Sequence, residues 1–338
     1  MLRDLPEEYL GAQRETIVSM EPGRHGKYRR LVAGAFTPKV IRVLEPRLRA
    51  LVTDVLDAVS TRGTCDFVAD VAAELPVIAI CELIGVPVAD RARIVAWSNA
   101  TVGMDDPEYA GDPSASHLAA LELMAYAHDL AERRRAEPRE DIVSELVRAE
   151  VDGERLGPAE LGAFVLVLAV AGNETTRNLI SGGLRALCEH PAERARLAAD
   201  PSLLPAAVEE MLRFVSPVMH FRRTATRDVE LAGARIREGD KVCLWYVSAN
   251  RDERVFADPD RFDVGRSASD HLAFGFGPHF CLGAALAQLE ARLLFAELLP
   301  RFPDLALDGP IVRLRSNHMN AIKHMPVRFA PEKRRTIA

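Results

Sequence analysis

Apolar residues recur at helical spacing along most of the chain. FTPKVIRVLEPRLRALVTDVLDAVS carries them three and four apart after Thr37-Pro38, the pattern of a helix opened by a cap and a proline. LPVIAICELIGV has a compact apolar face and stops at Gly85 and Pro87. The longest pattern runs from Pro158 to His190, bounded by Gly157 and Pro191. Its 33 residues, at about 1.5 Å each, reach roughly 50 Å, enough to cross the whole molecule. VGMDDPEYAGDPSASH, residues 102–117, separates two helical patterns, and its Gly and Pro suit a mobile lid over a pocket mouth.

A period of two appears late. DVELAGARIREGDKVCLWYVSAN alternates between Gly turns, and a further short pair of strands is expected around IVRLRS and MPVRFA. The expectation is a mainly α protein with small β-sheets in the C-terminal half, forming one domain over residues 1–338.

Composition narrows the classes. With 48% apolar residues the chain can bury a large core, and a net charge of -6 argues against nonspecific nucleic-acid binding. The charge is uneven: Pro22 to Arg49 holds eight Lys or Arg and one acid, Glu45. Cys65, Cys81, Cys188, Cys243 and Cys281 are scattered without a CxxC pair. That pattern argues against a disulfide framework or a zinc cage and for a reducing compartment. No apolar run approaches the roughly 18 to 20 residues of a membrane helix. MLRDLPEEYLG lacks the apolar core of a signal peptide. A soluble cytoplasmic protein is expected.

The densest chemistry lies in FGFGPHFCLG, residues 274–283. Alone, a free cysteine is most often a small buried hydrophobe, and His279 a surface loop residue. The glycines alter that reading, because Gly275, Gly277 and Gly283 let backbone approach a flat ligand. The helix after Leu282 turns its positive end toward the sulfur and favours thiolate. A thiolate as the single protein ligand suits haem iron. AGNETT, residues 171–176, sets Gly, Asn and two Thr inside the long helical pattern, either as a packing notch or as a local groove. Glu210 and Arg213 in EEMLR stand at i,i+3, a spacing worth only about 0.2 to 0.5 kcal/mol on a surface.

In their order these motifs resemble those of the cytochromes P-450. FGFGPHFCLG fills every fixed position of FGxGxHxCxG, AGNETT is similar to AGxET, and EEMLR to ExxR. PDRF (259–262), HGKYRR (25–30, as HxxxR) and RTATRD (223–228, as RxAxxD) follow the family, and the likeness spans about Met20 to Phe329. It implies haem b with Cys281 as axial iron ligand and Phe274, Gly275 and Gly283 beside it. His25, Arg29, Arg223 and His279 become propionate partners. Ala171 and Gly172 open a dioxygen groove, and Glu174 and Thr175 form the acid–alcohol pair that delivers protons within hydrogen-bond reach. Glu210, Arg213 and Arg261 form a buried structural triad. Val165, Leu168, Ala169, Val218 and Met219 line the substrate pocket.

The resemblance further implies a monooxygenase that hydroxylates unactivated C–H bonds of a small hydrophobic substrate. It would use dioxygen and electrons from NAD(P)H, through a ferredoxin reductase and an acidic ferredoxin attracted by Arg24, Lys27 and Arg30. A monomer without nucleic-acid partner or membrane anchor is expected. SPVMHFRRTATRD and RLRSNHMNAIKHMPVRF look like the actinobacterial lipid- and sterol-oxidising branch, which favours steroid side chains or branched and long-chain lipids. Macrolide or terpenoid tailoring is the competing role. Use of hydrogen peroxide is a further alternative, against which Glu174-Thr175 speaks. The family begins with a further helix, two strands and a short helix, whereas His25 arrives here almost at once. The expectation is therefore that Met1 is not the native start or that the chain is shortened, and an inactive haem-binding scaffold is the third reading.

Overall fold

The computed structural model describes residues 11, 14–103, 106–109, 113–151 and 153–332. Helices follow in the order α1 (Pro22–Ala33), α2 (Pro38–Ser60), α3 (Glu74–Ile84), α4 (Arg91–Val102), α5 (Pro113–Ala136), α6 (Ile142–Arg148) and α7 (Pro158–Glu189). Then come α8 (Pro191–Ala199), α9 (Leu204–Val215), the short α10 (Tyr246–Ala249) and α11 (Ala284–Arg301). The strands are β1 (Thr64–Asp66), β2 (Glu150–Val151), β3 (Glu154–Arg155), β4 (His220–Thr224), β5 (Val229–Leu231) and β6 (Ala234–Ile236). After β7 (Lys241–Trp245) come β8 (Ala306–Leu307), β9 (Val312–Arg313), β10 (Ile322–His324) and β11 (Pro326–Arg328).

The 32-residue α7 organises the molecule. Glu160 closes its first turn by accepting from the Gly157 amide at 2.8 Å, and Pro191, which cannot extend a helix, opens α8. Helices α3, α4, α5, α9 and α11 pack on α7, and one continuous apolar core runs from Ile17 to Phe329. Thr37 caps α2, its hydroxyl accepting from the Val40 amide at 3.4 Å. The turn-rich segment is shorter than the sequence suggests, because Pro113 already stands in the first turn of α5.

All sheets are small and antiparallel. β5 and β6 form a hairpin around Ala232 and Gly233, both at positive φ. β7 pairs with β4, setting Arg223 opposite Val242. The two late segments do not pair with each other as the sequence pattern suggested. β9 pairs with β10, while β11 lies between β1 and β8 in a three-stranded sheet. Alternation identifies a strand but carries no information about its partner.

Candidate active site

The Cys281 loop is shaped by its glycines. Gly275 and Gly277 sit at φ of 72° and 74°, a region open to glycine and strained for other residues. A Cβ on Gly275 would also come within 3.3 Å of the Tyr246 hydroxyl. A 3-10 turn over Gly277–His279 folds the loop back, and the Cys281 amide donates to the Phe274 carbonyl at 2.9 Å. The sulfur lies just ahead of α11. Burial pushes the Cys281 thiol up, and the Gly283 amide and the Arg29 guanidinium oppose that push. Phe274 packs on the core and meets Phe280 edge-on at 6.0 Å.

Helix α1 brings His25 and Arg29 and strand β4 brings Arg223 to this loop, where they join His279. His25, buried in α1, stacks on His279 with ring centroids 4.0 Å apart. Burial lowers the His279 pKa to about 4, helped by His25, Arg223 and Arg29. Burial and Arg29 likewise lower that of His25. Among the described residues, His25, Arg29, Arg223 and His279 have no carboxylate partner. Tyr246, which sequence reasoning did not single out, stands between Arg223 and Gly275. Arg24 pairs with Glu15 and Glu160, and Lys27 with Glu154, at the surface.

The AGNETT segment stays helical throughout. Ala171 is exposed and Gly172 and Thr175 are partly so, whereas Asn173, Glu174 and Thr176 are buried. The segment thus offers small side chains on an unbroken helix. Thr175 Oγ1 donates to the Ala171 carbonyl at 2.6 Å. Glu174 points elsewhere and pairs with Arg177. Burial pushes the Glu174 carboxyl up, and Arg177 opposes it. Val165, Leu168 and Ala169 belong to the packed core. At about 100° per residue, Val165 and Ala169 face away from Ala171 and Thr175, whereas Leu168, seven residues before Thr175, lies within about 20° of it. Val218 and Met219 are half-buried, Val218 bridging to Met319 and the Met219 amide bonding to the His318 carbonyl at 2.8 Å.

The structural triad differs from expectation in one member. Glu210 and Arg213 are fully buried and doubly bonded at 2.7 and 2.8 Å. The third cation is Arg266, whose Nε lies 3.2 Å from Glu210, and not Arg261. The Arg261 side chain is exposed and pairs with Asp263, and only its carbonyl accepts from Arg213 and Arg266. Arg213 also donates to the carbonyls of Asn250 and Pro259 at 2.7 Å each. The loop before Cys281 is thereby tied to α9.

The family model described as Cytochrome P450 matches residues 120–309 of this chain. The chain is a cytochrome P450. It is 44% identical over 329 residues to a methyl-branched lipid omega-hydroxylase of Mycobacterium tuberculosis, covering 96% of this chain and 76% of that protein. It is 41% identical over 334 residues to a steroid C26-monooxygenase of Rhodococcus jostii, covering 96% of this chain and 68% of the relative. A Mycobacterium marinum cytochrome P450 solved in complex with pseudoionone superposes with a TM-score of 0.92 at 41% identity, over 97% of this chain and 80% of that one. As a P450 the chain is an oxygen-incorporating oxidoreductase of the haem-thiolate class. Among the described residues, no helix is long and apolar enough to cross a membrane.

Proposed function

We propose that this P450 is a monooxygenase that hydroxylates an unactivated C–H bond of a lipid or steroid chain, with haem b as cofactor. The observation that carries the reading is the wall of Cys281, its glycines and four basic side chains without a carboxylate partner. The two propionates of haem b supply the negative charge that Arg29 and Arg223 call for, and hydrogen-bond partners for the His25 and His279 rings. A Cβ on Gly277 or Gly283 would meet no protein atom within 4 Å, so this face accommodates a flat ring. Cys281 would hold the iron, and the haem, when bound, supplies the activation of dioxygen.

The chain's own residues position and protonate. The Gly283 amide and Arg29 favour the Cys281 thiolate, and His25, Arg29, Arg223 and His279 orient the propionates. Ala171 and Gly172 keep bulk out of the groove, Thr175 holds a proton there, and the buried Glu174 passes protons to it. Leu168, Val218 and Met219 offer apolar contact to the substrate. The names of the mycobacterial and rhodococcal relatives support a methyl-branched lipid or a steroid side chain. A tailoring hydroxylase is a second reading, favoured by a TM-score of 0.86 at 38% identity to a post-tailoring hydroxylase of himastatin biosynthesis. Electrons come from NAD(P)H through a reductase and an acidic ferredoxin. With Arg24 and Lys27 each paired to surface acids, the attraction also draws on other cations of α1 and α2, such as the exposed Arg42. A cytoplasmic, single-domain monomer completes the proposal.

The deciding experiment is the carbon monoxide difference spectrum of the reduced protein, followed by spin-state titration with steroids and methyl-branched fatty acids. A thiolate-type band and a spin shift with either class are expected. An imidazole-like band would overturn the haem-thiolate site, and a shift only with macrolide-like compounds would move the substrate class.

A further inference from the structure

Glu174 and Thr175 are neighbours in sequence, yet they lie on faces of α7 about 100° apart. Thr175 bonds to the Ala171 carbonyl, and Glu174 Oε2 accepts from Arg177, one turn along the same helix. Glu174 is 1% exposed and Arg177 4%. Arg177 Nη1 also donates to Asn99 Oδ1 on α4 at 3.1 Å. Glu174 Oε1, Arg177 Nε, Asn173 Oδ1 and both polar atoms of Asn178 are buried without a protein partner. Buried polar atoms are satisfied by protein or by ordered water. Five orphans within six residues therefore mark a place for water beside the ion pair.

We propose that Arg177 is a positioning residue: it fixes the Glu174 carboxylate on the α4 side of α7 and yields it to Thr175 only through this water. The proposal rests on Glu174 and Thr175 being the proton-delivering pair. Asn99 makes the exchange practicable, because a guanidinium with five donors keeps one partner when the carboxylate leaves. Of the groups around Glu174, Arg177 carries the charge. The loop before α5 contributes the Tyr109 phenol, pushed up by burial with Arg177 and Glu174 acting in opposite senses, and α4 contributes the neutral Ser98 and Asn99. Removing the guanidinium leaves burial to act unopposed on the carboxyl and pushes it further up.

The test pairs infrared spectroscopy of the ferric protein with product formed per electron consumed. Arg177→Gln is expected to show a protonated-carboxyl band at neutral pH that disappears in the Arg177→Gln/Glu174→Gln double variant. Its coupling should fall about tenfold and recover as pH rises and the carboxyl ionises. Asn99→Ala, which leaves Arg177 to Glu174 alone, should lower coupling with no new band, and it serves if Arg177→Gln does not fold. No new band in Arg177→Gln, or coupling unchanged in either variant at every pH, overturns the positioning role. Unchanged coupling in both Glu174→Gln and Thr175→Ala would instead sink the underlying pair, and with it the proposal.

Discussion

The two walls of the site are built by different means. The wall of Cys281 is irregular backbone held by glycines at positive φ, a turn and a buried ion-pair knot. The wall of Thr175 is ordinary helix, distinguished only by the size and phase of its side chains. A backbone-made wall tolerates few residue types at fixed positions. A helix-made wall tolerates many, so its chemistry depends on which way each side chain turns.

The sharpest way to break this contrast is to remove one polar atom from each wall. Cys281→Ala should abolish the thiolate-type carbon monoxide spectrum and all oxygen incorporation. Thr175→Ala should keep the spectrum and waste electrons, with coupling lowered about tenfold. Retention of the spectrum by Cys281→Ala would sink the proximal assignment.

The supporting knot gives the next largest effect. Arg213→Ala leaves Glu210 buried beside one remaining cation and should cost about 3 to 5 kcal/mol of stability. Arg261→Ala should stay within about 0.5 kcal/mol, since its side chain is exposed. Denaturant unfolding that ranks the two equally would contradict the observed triad.

Glycine substitutions should differ in sign between the walls. Gly275→Ala meets the Tyr246 hydroxyl and a left-handed φ, and should cost about 1 to 2 kcal/mol. Gly172→Ala gains helix propensity of at most about 1 kcal/mol, offset by the shift asked of Ile80 Cδ1, 3.0 Å from the new Cβ. Thermal melts of the pair decide it.

The smallest effect concerns pH. His324 joins β10 to Glu108 at 2.7 Å and to Asp66 at 2.6 Å. Glu108 and then Asp66 raise the His324 pKa above its ordinary 6.5. Its stabilisation is therefore complete below about 6.5 and fades as pH rises through the higher folded value. Lys323 and then His324 lower the Glu108 pKa below 4.5, so that contribution fades as pH falls through its folded value. His324→Gln should lose melting temperature mainly between these limits, and an equal loss at pH 9 would refute the pairing.

The Cys281 loop was legible because its glycines, histidine and cysteine must occupy fixed places for the backbone to take this shape. α7 was legible because Gly157, Glu160 and Pro191 mark its ends. The triad was misread at one position since RFDVGR offers two arginines five apart, and only the tertiary path shows that Arg266 reaches Glu210. Arg177 was readable as an i,i+3 partner of Glu174, but Asn99 lies 78 positions away and no local signal joins them. Apolarity does not report phase: of Val165, Leu168 and Ala169, all apolar on the helix of Thr175, only Leu168 lies seven residues from Thr175 and so shares its face.

The knot of Glu210, Arg213 and Arg266 also has a temporal side. Beyond the local Glu210–Arg213 pair, its contacts join residues 37 to 56 positions apart. Helical turns form within about a microsecond, whereas such contacts stabilise nothing until long loops have closed. The segment that ends at Cys281 leaves this knot directly. Its shape should therefore arrive with the slow phase of refolding, after the helices around α7 have formed. A slower refolding rate in Arg266→Lys, with early helix formation unchanged, would place the assembly of this wall last.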